Sequence, residues 1–228
     1  MESFLLLALR NLVQAEQNDL TIQTLCKSCF GALKQADYFF KNDSKKREMA
    51  AAMLQKEGLQ YNGTARIKHL LTVLDEDIGP DIIKSQIKRE FKGLKIAPNY
   101  GCHALRPSNI TEFDFPHAPQ IFERIIRLTG AETLDWSRRL ECCGHPLQEK
   151  NKAMANAMFQ KKMVGAREAG ADIMCSACNY CQIQFNESLE ANTLSNPVPS
   201  ILISQLLGLS MGVPSKKIGC DIPCGTSC

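Results

Sequence analysis

The sequence predicts an α/β protein with mainly parallel sheets and flanking helices, and three observations carry this prediction. Segments with helical apolar spacing alternate with short β-branched segments along the 228 residues. Cysteines repeatedly follow a predicted strand, at the point where the chain turns into a loop or helix. The third observation is an internal repeat, because a shift of 152 positions places Cys26 and Cys29 on Cys178 and Cys181.

The first part of the chain is predicted to contain several helices around one strand. A cysteine pair opens the helix that follows this strand, and Gly79-Pro80 interrupts the helical pattern near the end of this part. The predicted elements are a helix over 3–17, a strand over 19–25, and helices over 26–40, 44–57, 64–75 and 81–91.

The second part repeats the order of strand, cysteine and helix. Its first strand runs into a Gly-Cys turn, and a later strand runs into the second cysteine pair. The predicted elements are strands over 94–103, 132–136 and 171–175, a turn over 141–146, and helices over 117–131, 148–170, 178–194 and 198–212.

Composition and charge are those of an ordinary globular protein, with 44% hydrophobic residues, 22% charged residues and a net charge of +3. The basic run from Lys84 to Lys95 is predicted to be a solvated face, so we expect no nucleic-acid partner. The apolar N-terminus lacks the features of a signal peptide, and no segment reaches the ~18 apolar residues of a membrane span. We therefore expect a cytoplasmic protein with no membrane span.

Eleven cysteines are many for this length, and in a cytoplasmic chain clustered cysteines favour metal or redox chemistry over disulfides. Those of the second part follow predicted strands, and the carboxyl ends of parallel strands converge on one edge of a sheet. Five thiolates exceed the four ligands of a tetrahedral zinc site or an ordinary cubane cluster. The five are Cys102, the adjacent pair Cys142 and Cys143, Cys178 and Cys181.

The segments GCHALRPS, LECCG and CNYCQIQFN resemble the cysteine-rich CCG domain of the B-type subunit of heterodisulfide reductase. The similarity runs from about residue 2 to 217 and includes the closing segment SILISQLLGLSMGVPSKKIG. In that family two CCG-type modules face each other across a pseudo-twofold axis, and each surrounds a cysteine-ligated iron–sulfur cluster. The resemblance implies that the five cysteines ligate such a cluster, a non-cubane [4Fe-4S] centre as in the methanogen enzymes. A zinc-stabilised, non-catalytic scaffold is the alternative.

The resemblance also implies a function in electron transfer. The chain would be the iron–sulfur subunit of a heterodisulfide-reductase-like complex that reduces a disulfide of the CoM-S-S-CoB type at the cluster. Electrons would arrive from a ferredoxin-like iron–sulfur subunit, which a flavin subunit supplies. Related CCG subunits suggest an alternative, a non-catalytic electron-transfer or anchoring subunit of a flavin dehydrogenase complex in succinate or fumarate, lactate, glycolate or sulfur metabolism.

The first module departs from the family pattern. A full B-type subunit carries another C…CC half before the first helix, whereas this module has Cys26 and Cys29 as its cysteines, a candidate second metal site. We therefore divide the chain into an incomplete first CCG module with its helical connection, 1–92, a complete cluster-binding module, 93–219, and a cysteine-containing tail, 220–228.

Three side chains near the five cysteines are candidates for substrate binding. His103 follows Cys102 directly, and His145 follows the turn of the adjacent cysteine pair. The guanidinium fork of Arg106 suits a carboxylate, sulfonate or phosphate group of a substrate.

Several other residues are predicted to have structural roles. The repeat places Cys175 opposite Gln23, which cannot supply a thiolate, so Cys175 is predicted to be a packed, surplus thiol. His69 and His117 are predicted to be surface or helix-capping residues. The tail cysteines are predicted to lie on a disordered end, with a small metal site as the alternative; they are Cys220, Cys224 and Cys228.

Overall fold

A computed structural model describes residues 2–191 and 197–220, and these form two parallel sheets flanked by helices. The predicted α/β class is confirmed. The smaller sheet pairs β1 (Thr21–Thr24) with β2 (Arg66–His69). The larger sheet has the order β4-β3-β5-β6, in which every neighbouring pair is parallel. Its strands are β3 (Lys95–Asn99), β4 (Glu132–Thr133), β5 (Ile173–Ser176) and β6 (Ser200–Leu202).

The helices of the first half cover the smaller sheet. They are α1 (Glu2–Gln17), α2 (Lys27–Asn42), α3 (Ser44–Gln55), the short α4 (Leu70–Thr72) that continues as a π-helix over Val73–Ile78, and α5 (Pro80–Gln86). An apolar core joins the first three of these helices, with Leu9, Leu12 and Leu54 fully buried. The Asp43 side chain accepts a hydrogen bond from the Lys46 backbone and so fixes the start of α3.

The helices of the second half flank the larger sheet. They are α6 (Ser108–Thr111), α7 (Ile121–Leu128), α8 (Lys152–Glu168), α9 (Asn179–Ala191) and α10 (Ile203–Ser210). The largest core lies between this sheet and residues of both halves. Phe30 and Leu71 of the first half pack there with Tyr100, Phe122 and Leu206 of the second. The two halves therefore share a continuous core across the predicted boundary at residue 92.

Two strands were missed because each leads into a helix without a turn signal. The predicted helix over 64–75 is wrong in its first part, since Arg66–His69 pairs with β1 before the chain becomes helical. The predicted helix over 198–212 likewise begins with strand β6, which pairs with β5. In both places the local apolar spacing is helical, and a pairing with a distant strand overrides it.

The two sheets confirm the internal repeat. In the first half β1 leads into the first cysteine pair and pairs with β2, as β5 leads into the second pair and pairs with β6. The larger sheet adds β3 and β4 on the other side of β5. Among the described residues β1 has no neighbour in those two positions. The division into an incomplete first module and a complete second one stays a prediction.

The tail prediction is wrong for Cys220. This residue is 5% exposed and packs in the largest core. Its segment is fixed there because the Cys220 backbone N–H donates to the Ser215 carbonyl, and the Gln205 side chain donates to the Ile218 carbonyl. Cys224 and Cys228 lie outside the described residues.

Candidate metal centre

The parallel strands place three cysteine-bearing turns at one edge of the fold. Asn99 at the end of β3 lies opposite Ser176 at the end of β5, so the turns to Cys102 and Cys178 begin at the same level. Strand β1 ends at Thr24, and Cys26 then forms the N-cap of α2. As predicted from the topology, carboxyl ends of strands bring distant thiols together.

Six thiols form a continuous chain of neighbours at this edge, in which each thiol changes the pKa of the next. Five of them are the predicted cluster ligands. The sixth belongs to the first cysteine pair, and its Sγ lies 3.6 Å from the Sγ of Cys178. In order, the thiols are Cys102, Cys142, Cys143, Cys181, Cys178 and Cys26.

Gly144 allows both adjacent cysteines to face the site. Its φ is +95°, a left-handed conformation that favours glycine. A Cβ at this position would lie 2.7 Å from the Ala155 carbonyl oxygen, so no other residue fits without movement of α8. The Gly144 backbone N–H also donates to the Sγ of Cys142 at 3.4 Å. The turn therefore needs this glycine for its backbone, its packing and its contact with the thiol.

Hydrogen bonds between neighbouring sulfurs give the six thiols different pKa values. Hydrogen bonds from Cys102 and Cys143 lower the pKa of Cys142, and hydrogen bonds from Cys181 and Cys26 lower the pKa of Cys178. The pKa values of the donating thiols are raised, because each holds its own proton in a hydrogen bond to a neighbouring sulfur and is partly desolvated. Binding of a metal at all positions would release the thiol protons, because thiolates are the ligands.

The two members of the first cysteine pair have different surroundings. Cys26 is 6% exposed and joins the thiol chain, where it meets its repeat counterpart Cys178. Cys29 is exposed and lies in an apolar surface depression beside Phe4 and Leu33. The second metal site on this pair remains a prediction.

Two buried lysines lie beside the thiol chain, and no sequence pattern indicated either of them. Lys27 is 2% exposed; its Nζ donates to the Asn99 carbonyl at 3.4 Å and lies 4.7 Å from the centre of the Tyr100 ring. Lys162 is 0% exposed, donates to the Arg138 carbonyl and lies 5.0 Å from the centre of a tryptophan ring. Burial lowers the pKa of both ammonium groups to about 8, and the neighbouring thiols, with Cys181 foremost, act in the opposite direction.

His69 connects the first half to the second cysteine pair. Its Nδ1 accepts the Leu71 backbone N–H at 3.1 Å, so Nε2 carries the proton and donates to the Ala177 carbonyl at 3.1 Å. The predicted capping role is therefore confirmed, but the surface location is wrong, because His69 is 0% exposed. Burial, with a smaller effect of Lys27, lowers its pKa to about 3 and keeps the ring neutral. The ring thereby holds the turn that precedes Cys178.

The candidate substrate-binding residues differ in position. A cavity of about 640 Å³ opens over the thiols, and His103 and His145 line it. His103 Nδ1 lies 3.4 Å from the Sγ of Cys102, and the ring of His145 lies 4.5 Å from that of Tyr180. Arg106 instead donates to the carbonyl of Leu140, just before the adjacent cysteine pair.

Cys175 lies on the other face of β5 from the thiol chain. It is fully buried in the largest core, whereas Cys178 and Cys181 belong to a separate apolar cluster with Phe159 and Phe185. Burial raises the pKa of the Cys175 thiol. These surroundings agree with the prediction of a packed thiol.

The donor set fits an extended group better than a single ion. Among the described residues, no three His, Cys, Asp or Glu side chains are arranged to hold one metal ion. The thiols instead follow one another across the site, and soft thiolates at different points suit a cluster of several irons. The two buried ammonium groups favour a ligand set that carries negative charge.

The pattern of the cysteine-rich domain family CCG matches residues 96–186, which include all five predicted ligands. The B-type subunit of the ferredoxin/F420H2-dependent CoB-CoM heterodisulfide reductase from Methanosarcina acetivorans is 32% identical over 225 residues. The match covers 96% of this chain and 75% of the relative. The chain belongs to the family of heterodisulfide reductase B-type subunits.

Two further members show the range of this family. The B-type subunit of the ferredoxin:CoB-CoM heterodisulfide reductase from Methanosarcina mazei is 28% identical, over 96% of this chain and 75% of the relative. The membrane anchor subunit of the 8-methylmenaquinol:fumarate reductase from Wolinella succinogenes is 32% identical, over 92% of this chain and 74% of the relative. These relatives are subunits of multi-subunit reductases.

A solved structure has the same fold. A hypothetical protein from Helicobacter pylori superposes with a TM-score of 0.71 and 14% identity, over 96% of this chain and 40% of that one. At this identity the likeness supports the α/β architecture alone. None of the helices formed by residues 2–191 and 197–220 has the length and apolar character needed to cross a membrane.

Proposed function

We propose that the chain is the iron–sulfur subunit of a heterodisulfide-reductase-like complex and holds a non-cubane [4Fe-4S] cluster. The observation that carries the proposal is the continuous chain of thiols under an open cavity at the strand ends. The proposed ligands are the five cysteines that the sequence predicted, namely Cys102, Cys142, Cys143, Cys178 and Cys181. When bound, the cluster would supply the electrons for reduction of a disulfide of the CoM-S-S-CoB type.

The cavity offers protein groups for the remaining part of the reaction. Reduction of a disulfide to two thiols takes up two electrons and two protons, so the site must deliver protons as well as electrons. His103 and His145 line the cavity, and imidazole groups can transfer protons near neutral pH. We propose that they contact the substrate, while Arg106 fixes the loop before the adjacent cysteines through the Leu140 carbonyl.

The proposed partners follow from the same family. Electrons would come from a ferredoxin-like iron–sulfur subunit that receives them from a flavin subunit, in a complex located in the cytoplasm. The small substrate would enter through the cavity over the thiols.

A second function is favoured by one relative. The Wolinella succinogenes protein is a membrane anchor subunit of a fumarate reductase, and it is as similar to this chain as the Methanosarcina acetivorans protein. On this alternative the chain would transfer electrons or anchor a flavin dehydrogenase without acting on a disulfide itself.

Anaerobic purification with iron and acid-labile sulfide analysis tests the cluster. We expect a brown protein with about four irons and four sulfides per chain. A colourless protein with stoichiometric zinc would contradict the proposal and support the zinc scaffold. Electron paramagnetic resonance (EPR) spectra with and without a thiol substrate then separate the two functions, because a thiol-dependent change indicates substrate binding at the cluster and an unchanged spectrum favours the electron-transfer subunit.

A further inference from the structure

Among the described residues, Lys27 and Lys162 are buried without a carboxylate ion pair, and the acidic groups that act on them, Glu123 and Glu141, lie beyond ion-pair distance. In the part of the chain whose side chains the structure describes, neither ammonium forms an ion pair with a carboxylate. Lysine is almost never fully buried unless it is paired, because desolvation of the charge costs several kcal/mol. Their observed contacts are backbone carbonyls and aromatic rings. These contacts alone offset only a small part of the free-energy cost of burying two charges.

The two lysines approach the thiol chain from different elements. Lys27 follows Cys26 at the start of α2, in the first half, and lines the cavity over the thiols. Lys162 lies on α8, in the second half. The tryptophan ring beneath the Lys162 ammonium belongs to the same apolar cluster as Cys143 and Cys181. As a ligand, the Cys181 thiolate would act on each ammonium more strongly than either carboxylate does. The thiolate ligands are thus the missing counter-charge of both.

We propose that Lys27 and Lys162 are positioning residues that balance the negative charge of the thiolate-ligated cluster and raise its reduction potential. This inference rests on the proposed function. A fixed cation close to the cluster stabilises the reduced form more than the oxidised form, because reduction adds one negative charge. The low dielectric of the buried site strengthens the effect. Lys27, in the first half, would then raise the reduction potential of a cluster whose ligands lie in the second half.

The test compares midpoint potentials of the loaded protein by EPR-monitored redox titration. The variants Lys27→Met and Lys162→Met remove the charge and keep an unbranched apolar stem, and Lys27→Arg and Lys162→Arg keep the charge. Lys161→Met is the matched control, since Lys161 is the exposed neighbour on the same helix. For each Met variant we expect reduction to be about tenfold less favourable, a shift of about 59 mV to more negative potential for one electron.

The Arg variants and Lys161→Met should keep the wild-type potential.

A second measurement is the unfolding temperature of the metal-free chains. The Met variants should unfold at the same temperature as the wild type or at a higher one, because an uncompensated buried charge has been removed. If a Met variant fails to take up iron while its Arg variant succeeds, the requirement for charge is also supported.

Two results would overturn the inference. One is an unchanged potential in both Met variants that carry a cluster. The other is equal loss of iron in the Met and Arg variants, which would indicate a requirement for shape. A wild-type protein without any cluster would instead contradict the proposed function, so the two failures are distinguishable.

Discussion

The two cysteine pairs of this chain occupy equivalent positions in a repeat and differ in what surrounds them. The second pair follows β5, which is buried along its whole length between β3 and β6. The first pair follows β1, which is partly exposed and pairs with β2. Consequently Cys178 and Cys181 are both buried, while Cys29 is exposed. The comparison shows that the motif yields a multi-thiol site where neighbouring strands supply further cysteines.

The first half contributes to the second site instead of repeating it. Its Cys26 contacts Cys178, its Lys27 lines the cavity, and its His69 holds the turn before Cys178. The two halves also share the largest core. We therefore interpret the first half as part of the site of the second.

The largest expected effect is loss of the cluster on substitution of the second pair. Cys178→Ser or Cys181→Ser should abolish iron binding, because each removes a thiolate from the middle of the chain of contacts. Cys175→Ser, a neighbour on the other face of β5, is the control and should keep the iron. Iron content per chain is the measurement. Loss of iron in the Cys175 variant would show that the register of the repeat is wrong.

A smaller effect should follow from Gly144→Ala, which tests the turn of the adjacent cysteine pair. The strain at a φ of +95° and the contact with Ala155 together should lower the free energy of unfolding by about 2–4 kcal/mol. Gly170→Ala is the matched control, since its φ is +78° and a Cβ there meets no atom within 4 Å. Denaturant unfolding measures both variants. Equal destabilisation would mean that strain alone accounts for the effect, without packing against α8.

His69→Ala should have a still smaller effect on stability and tests the contribution of the first half. It leaves the Leu71 N–H and the Ala177 carbonyl without their partner, which should cost about 1–3 kcal/mol in the free energy of unfolding. His117→Ala, at an exposed position, should change it by less than about 0.5 kcal/mol. An equal change in the free energy of unfolding for the two variants would contradict the proposed role of His69 in holding the turn.

Much of this site was predictable from residue types and spacing. The convergence of the cysteines followed from the alternation of elements and from the repeat. The burial of Lys27, Lys162 and His69 did not, because each depends on packing between distant segments and leaves no local pattern. Strands β2 and β6 were missed for a related reason, since each is defined by pairing with a strand far along the chain.

The most direct test of a single cluster shared by both halves is the iron and sulfide content of the wild type beside Cys26→Ser and Cys29→Ser. We predict one cluster, about four irons per chain, in the wild type, and the same content in Cys29→Ser. Cys26→Ser should keep the iron but alter the EPR spectrum, because its sulfur contacts that of Cys178. About eight irons in the wild type, falling by half in Cys29→Ser, would contradict this interpretation and show that the first pair holds a cluster of its own.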